Sequence, residues 1–283
     1  MEYNFFIDKR TEGLLYLNFP ANDKEFQTRR SSNNGRSWHD IKFLNHNNSE
    51  SSQSVQFKFH LHDAKAVPNH FEMIDIQYQD HVTALTPFIT FDGGHSWKVA
   101  AKTKSNIILL NHGSVLLSVD KDTNSINYSF DEATTWLSYK LFSNNPKVLY
   151  IGRLSNNDLK AVIVSRDSTT KKIKFTTLDF SRIFNLDCNM SHYREWYLPT
   201  SNGFCYKGLK IKMRTRHSNI LCMDKLVNHI KTIEKCSCVP DDFGCTFRYK
   251  PNADICVPDD VSIKKPDPKK CAGEPNEVIH LPG

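Results

Sequence analysis

No cysteine occurs in the first 187 of the 283 residues, no uninterrupted apolar run exceeds four, and glycine and proline number only 11 and 12. The short runs exclude a membrane-spanning helix, which needs ~20 mostly apolar residues. The low glycine and proline exclude collagen-like and low-complexity chains. The opening residues MEYNFFIDKR carry Glu2 and only three successive apolar side chains, so the sequence is expected to hold no secretory leader of its own. An excess of one charge is also missing. Lys and Arg at 37 against Asp and Glu at 31 leave +6, with the surplus spread over both halves. Nucleic-acid binding, which concentrates cations on one surface, is therefore not expected. The densest basic stretch, KGLKIKMRTR at 207–216, alternates Leu209, Ile211 and Met213 with Lys210, Lys212 and Arg214. That is the period of a half-buried strand with a solvated charged face.

What the first 187 residues do contain is short β-prone runs, at 55–61, 73–78, 85–91, 107–111, 115–119, 126–130, 147–151 and 161–165. Clusters of Asn, Asp, Ser, Gly and Pro separate them, and no amphipathic helix longer than two turns stands out. Short strands at near-regular spacing mean a sandwich, a barrel or a propeller, and internal repetition distinguishes these.

Repetition is present. Residues 31–38 read SSNNGRSW, 90–97 read TFDGGHSW and 129–136 read SFDEATTW. The shared template is S/T-x-D-x-G-x-S/T-W. Its Asp and Gly positions are Asn33 and Gly35, Asp92 and Gly94, and Asp131 and Ala133; its aromatic positions are Trp38, Trp97 and Trp136. About forty residues separate the last two Trp, close to one four-stranded blade per repeat, and the longer first interval implies an insertion. An Asp followed by a flexible Gly can accept from the turn's own N–H groups while the Trp packs into a blade. The box is thus a structural device. Asp92 and Asp131 are not expected to act as paired catalytic carboxylates, because repeats of one motif fall on different blades. In the first copy Asn33 can still accept a hydrogen bond; in the third Ala133 lacks glycine's easy access to positive φ.

All eight cysteines, Cys188, Cys205, Cys222, Cys236, Cys238, Cys245, Cys256 and Cys271, lie in the last 96 residues. An even count at this density fits a small disulfide-stapled module. Zinc is the competing explanation, but a single tight pair, Cys236 and Cys238, with the others widely spaced, argues against it, and no metal or cofactor is expected. Sequons at Asn47, Asn127 and Asn189 are candidate glycosylation sites and fit the same oxidising compartment.

The template is the Asp-box of sialidases and other β-propellers. The run KCSCVPDDFGCTFRYKPNADICV at 235–257 resembles the cysteine-rich module that closes the luminal domain of the sortilin family of vacuolar protein sorting receptors. Cys188 with Tyr193 and Trp196, GFCYKGLKIKMRTR at 203–216 and KKCAGE around Cys271 resemble further stretches of that module in the same order. The resemblance implies a mainly β chain: a partial Asp-box propeller of about four blades over 1–187, followed by a cysteine-rich module over 188–283. Carried to matching positions, it implies the pairs Cys188–Cys222, Cys205–Cys236, Cys238–Cys271 and Cys245–Cys256. Family members carry ten cysteines here, and the two absent from this chain are partners of each other.

The implied function is that of a non-enzymatic sorting receptor. Its relatives carry vacuolar hydrolase cargo from the Golgi to late endosomes, within the lumen of the secretory pathway. Family receptors close ten blades around a ligand tunnel and reach the membrane through segments absent from this sequence. A truncated or degenerate member with weakened or lost cargo binding is therefore expected, and no ligand residues are assigned. A secreted Asp-box glycosidase of the sialidase type is the alternative. The arginines, including Arg29, Arg30, Arg153, Arg166 and Arg182, form no carboxylate-binding pattern that would support it.

Overall fold

The computed structural model describes residues 5–8, 11, 13–21, 25–45, 49–50, 55–59, 75–80, 85–100, 107–120, 125–143, 146–154, 159–200, 203–224, 231–237, 245, 249–252 and 255–258. Among these the chain is mainly β, with two single 3-10 turns.

The first sheet is an antiparallel meander of β1 (Phe5–Ile7), β2 (Leu15–Pro20), β3 (Phe26–Ser31) and β4 (His39–Asp40). The second contains β5 (Lys42–Leu44), β6 (Asp75–Asp80), β7 (Leu85–Thr90) and β8 (Ser96–Val99) in the order β5-β8-β7-β6, with β5 lying parallel to β8. A third meander runs β9 (Ile108–Leu110), β10 (Val115–Asp120), β11 (Ser125–Ser129) and β12 (Leu137–Lys140). The fourth has three strands, β13 (Lys147–Arg153), β14 (Lys160–Arg166) and β15 (Ile173–Asp179). After Cys188 come β16 (Tyr193–Tyr197), β17 (Leu209–Arg216) and β18 (Lys231–Lys235) in one sheet, and the hairpin of β19 (Tyr249–Asn252) and β20 (Ile255–Pro258).

The core is divided among the gaps between successive sheets. Leu14 and Tyr16 of the first sheet region meet Phe43, Phe88 and Trp97 of the second. Ile76 and Ile89 of the second meet Leu109, Leu116 and Ala133 of the third. Leu117, Val119 and Ile126 of the third meet Ile151, Ala161 and Ile163 of the fourth. Each fully buried aliphatic side chain contributes about 1.5–3 kcal/mol. Strand β10 explains its own composition. Val115, Leu117 and Val119 serve one gap and Leu116 the other, so its residues are apolar on both faces. Face-to-face succession of small, mostly antiparallel sheets is propeller architecture, and the stack is open. Phe5 and Ile7 at one end, and Leu149, Ile173 and Phe175 at the other, remain exposed.

Residues 55–59, read from sequence as the start of a strand, form none. Polar side chains replace the ladder there. Thr28 Oγ1 accepts from Phe57 N at 2.9 Å and donates to Asn18 Oδ1 at 2.6 Å, while Asn18 Nδ2 donates to Phe57 O at 3.0 Å. The basic strand at 209–216 does form as β17, but its cations are paired. Lys210 meets Glu234 at 3.0 Å, and Lys212 and Arg214 both meet Glu195 at 2.6 Å. The alternation marks a charge-compensated face.

Candidate functional site: box turns and the strands they meet

Each box turn follows one hydrogen-bond plan. In the second, Thr90 Oγ1 accepts from Gly94 N at 2.9 Å and donates to Asp92 Oδ1 at 2.8 Å. Asp92 in turn accepts from Ser96 N at 2.9 Å and from Ser96 Oγ at 2.6 Å. In the first, Ser31 Oγ accepts from Gly35 N at 2.9 Å, and Asn33 Oδ1 accepts from Ser37 N at 3.0 Å. In the third, Ser129 Oγ accepts from Ala133 N at 3.2 Å, and Asp131 Oδ1 accepts from Thr135 N at 2.8 Å. Burial alone would raise the Asp131 carboxyl, but the bonds from Thr135 and Ser129 outweigh it and hold the group below its ordinary value.

The backbone is left-handed at the template's glycine position in all three copies: Gly35 at φ +83°, Gly94 at +82° and Ala133 at +62°. Ala133 thus adopts the conformation that its side chain disfavours, held by the Ser129 bond and by burial of its methyl beside Trp136. Trp97 is fully buried, while Trp136 and Trp38 are partly so, Trp38 lying edge-on to Phe19 at 5.1 Å. The Asp92 and Asp131 carboxylates are occupied by their own turns.

Replacing Asp92 by Ala is expected to cost about 2 kcal/mol, because charge-assisted bonds to the turn are lost. Asn33→Ala, which removes a neutral acceptor, should cost about 1 kcal/mol. Urea unfolding of the two variants checks this. Equal and negligible losses would show that the boxes do not pin their hairpins.

The first box, with Arg30 just before it, and the third box meet the segment that follows Cys188. Asn34 Nδ2 donates to Tyr206 Oη at 2.7 Å, and Arg30 Nη2 donates to Pro199 O at 3.1 Å. Beyond Asp131, the Glu132 carboxylate pairs with Arg194 at 3.2 Å. Burial raises the Glu132 pKa, and Arg194 and then Lys98 offset this only in part. Lys98 itself is lowered by burial and donates to Thr134 Oγ1 at 2.8 Å.

A third junction lies at the 3-10 turn Asn111–Gly113. Asn111, 1% exposed, donates from Nδ2 to Cys222 O at 2.9 Å and accepts at Oδ1 from Asp224 N at 2.8 Å. Its amide thereby copies a β-bridge to the 222–224 backbone. Tyr193 Oη donates to Asp224 Oδ1 at 2.6 Å beneath it.

Disulfides join Cys188 to Cys222 and Cys205 to Cys236, and Cys245 is also disulfide-bonded. Cys238, Cys271 and the Cys256 side chain lie outside the described residues, as does Asn47. The donor atoms of Cys188, His192 and Cys222 gather within 4.8 Å, but both sulfurs are consumed by their mutual bond, and His192 Nδ1 accepts from Asn189 N at 3.1 Å. The group does not hold a metal in this oxidised form. Asn189 is exposed as the cap of the 3-10 turn Met190–His192, whereas Asn127 is half-buried in the central strand β11, with Ser129 of its sequon engaged in the third box.

A family model described as sortilin, neurotensin receptor 3, matches residues 77–151, and the model of the C-terminal part of the same family continues over 153–281. The chain belongs to the sortilin family. The boundary between the two matches falls inside β13, which pairs in one sheet with β14 and β15, so it does not divide the fold. Among relatives, the VPS10 domain-containing receptor SorCS1 of Mus musculus is 26% identical over 62% of this chain and 15% of its own length. The vacuolar protein sorting/targeting protein 10 of Aspergillus terreus is 26% identical over 65% of the chain and 14% of its own. That of Lodderomyces elongisporus is 25% identical over 84% and 19%. This sortilin-family chain therefore spans less than a fifth of the length of these relatives. A solved structure of the Niastella koreensis GH74 enzyme overlaps 75% of the chain and 33% of its own at 9% identity and a TM-score of 0.28, too slight to bear on function.

The junction residues Asn111, Glu132 and Arg194 were not singled out by the sequence. Asn-His-Gly between two apolar runs signals a turn, but nothing in it points to a partner more than a hundred residues away.

Proposed function

We propose that this chain is part of the luminal domain of a sorting receptor, a non-enzymatic protein whose relatives carry vacuolar hydrolases from the Golgi to late endosomes. On its own it holds such cargo weakly or not at all. The observation that carries the reading is the succession of box-turn sheets leading into disulfide-tied strands that pack back onto the first and third boxes. We divide the chain accordingly into blades over 1–187 and a cysteine-rich module over 188–283. Binding in a ring of blades depends on groups fixed in place before the ligand arrives, and an open stack of four sheets does not close a ring. The occupied Asp92 and Asp131 carboxylates support the non-enzymatic part.

Titrating a vacuolar hydrolase against this chain and against the complete luminal domain of a fungal relative, in one buffer, tests the proposal. At least tenfold weaker binding by this chain is expected, together with no hydrolysis of sialosides or other glycosides. Equal affinities would place the cargo site within these residues, and glycoside hydrolysis would overturn the receptor reading.

A further inference from the structure

The fourth sheet stops one strand short of the other three. In each of those, the strand before the box, β3, β7 or β11, pairs with a return strand after it, β4, β8 or β12. Past β15 the chain turns at Phe180, whose carbonyl accepts from Ile183 N at 2.9 Å, and no strand runs back along β15. Its free row of backbone groups follows from the register. Phe180 N donates to Leu159 O and Asp167 N to Lys172 O, so an antiparallel ladder turns the N–H and C=O of Lys174, Thr176 and Leu178 toward β14. Those of Ile173, Phe175, Thr177 and Asp179 point outward, and they make no backbone bond among the described residues.

Apolar side chains flank this edge on both faces. Leu137 and Tyr139 of β12 stand opposite Tyr128 and Ile126 of β11, so they share the face that packs on the fourth sheet. Both are nevertheless exposed, Tyr139 by 60%, because no strand lies beyond β15 to meet them. On the other face Phe175, paired with Val164, is 70% exposed. The free charge nearby has one sign. Lys172 and Lys174 are exposed and make no ion pair among the described residues. The acidic neighbours are engaged, Asp179 by Lys160 at 3.0 Å and Asp167 by the N–H groups of Thr169 and Thr170.

Lysine on an edge strand commonly deters pairing, but it attracts a strand of opposite charge. A second copy of this chain fits poorly. Antiparallel pairing of β15 with itself would bring the third sheets of both copies over one place, and parallel pairing would set lysine against lysine. We infer that the free edge of β15 is a binding site for an extended segment of a partner protein that carries aliphatic and acidic side chains. Added as a fourth strand, the segment bonds to the four outward backbone groups and lays its aliphatic side chains against Leu137, Tyr139 and Phe175. Its carboxylates lie beside Lys172 and Lys174. The chain itself uses an outer edge in this way, since β5, from an earlier part of the sequence, joins β8 in parallel.

The test is fluorescence anisotropy of a labelled octapeptide of alternating valine and threonine that ends in two glutamates, titrated with the whole oxidised chain. Its counterparts end in two lysines, or carry the glutamates with every amide N-methylated. The glutamate peptide is expected to bind at least tenfold more tightly than either. Hydrogen exchange gives the position: the amides of Ile173, Phe175, Thr177 and Asp179 should exchange freely in the chain alone and gain at least tenfold protection with the glutamate peptide. Thr177→Pro removes an outward N–H that makes no native bond, a change that edge strands accept, and should weaken this peptide at least tenfold. Lys172→Glu together with Lys174→Glu, at exposed positions, should reverse the preference between the glutamate and lysine peptides. Unchanged affinity in either folded variant would overturn the assignment. So would equal binding of the N-methylated peptide, no binding of the glutamate peptide, or protection of the four amides that rises with protein concentration alone, which would give the edge to a second copy.

Discussion

Gly94→Ala is expected to destabilise the chain by about 3 kcal/mol, whereas the equivalent change in the first box, Gly35→Ala, should cost about 1 kcal/mol. Both glycines sit at nearly the same left-handed φ, so the backbone penalty is common to them. The surroundings are not. A Cβ on Gly35 would meet Leu15 Cδ1 and Trp38 Cζ2 at 3.5 Å, an ordinary contact. A Cβ on Gly94 would overlap the Tyr16 hydroxyl. Tyr16 cannot swing aside into water, being 1% exposed and packed edge-on to Trp97 at 6.0 Å. The methyl must therefore displace the aromatic layer between the first and second sheets. Thermal melts of the two variants decide it: at 2–4 °C per kcal/mol for a chain of this size, Gly94→Ala should lower Tm by roughly 6–12 °C. Equal shifts at the two positions would show that Tyr16 does not bear on the second box.

Ala133 completes this series. Replacing it by Gly relieves left-handed strain of about 1 kcal/mol, but removes a buried methyl worth about 0.8 kcal/mol and loosens the unfolded chain. Near-neutrality is the expected balance, which explains how the third box keeps its turn without glycine.

The boxes were legible in the sequence because their bonds are local. Each hydroxyl, carboxylate and donating N–H lies within four residues of its partner. Strands such as β11 and β14 were legible for the same reason, since alternation is a property of neighbouring residues. Residues 55–59 were misread because their β-prone composition serves packing around Phe57, while Thr28 and Asn18 hold the backbone. Junctions across sheets left no comparable trace. Asn34 and Tyr206, Arg30 and Pro199, or Glu132 and Arg194 are brought together only by the order of sheets, and each residue taken alone reads as a common surface type. Arg30 shows this most clearly. In sequence it is one of several unpatterned arginines; folded, it is buried and bonded to the Pro199 carbonyl 169 residues away.

Removing the Cys188–Cys222 bond by the double change to Ala should cost about 4 kcal/mol, more than the same change at Cys205 and Cys236. The chain-entropy part is nearly equal for the two, since the sequence separations are 34 and 31. The difference comes from what each bond holds. Cys222 is 1% exposed and Cys188 7%, so alanine there leaves a void beside Tyr193, whereas Cys205 and Cys236 are half-buried. Cys188 N also donates to Met223 O at 3.0 Å, and Met223 N to Leu186 O at 2.7 Å. Together with the disulfide, these bonds fix the 222–224 backbone where Asn111 can bridge it. Without the crosslink, the Asn111 amide is left buried with two unmet bonds, a cost that the outer disulfide does not carry. Hydrogen exchange separates the two effects. The Asp224 amide should lose protection in the Cys188→Ala, Cys222→Ala chain and keep it in the Cys205→Ala, Cys236→Ala chain, in step with the larger loss of urea stability. Equal stability losses with Asp224 still protected would show that the blades hold this segment without the inner disulfide.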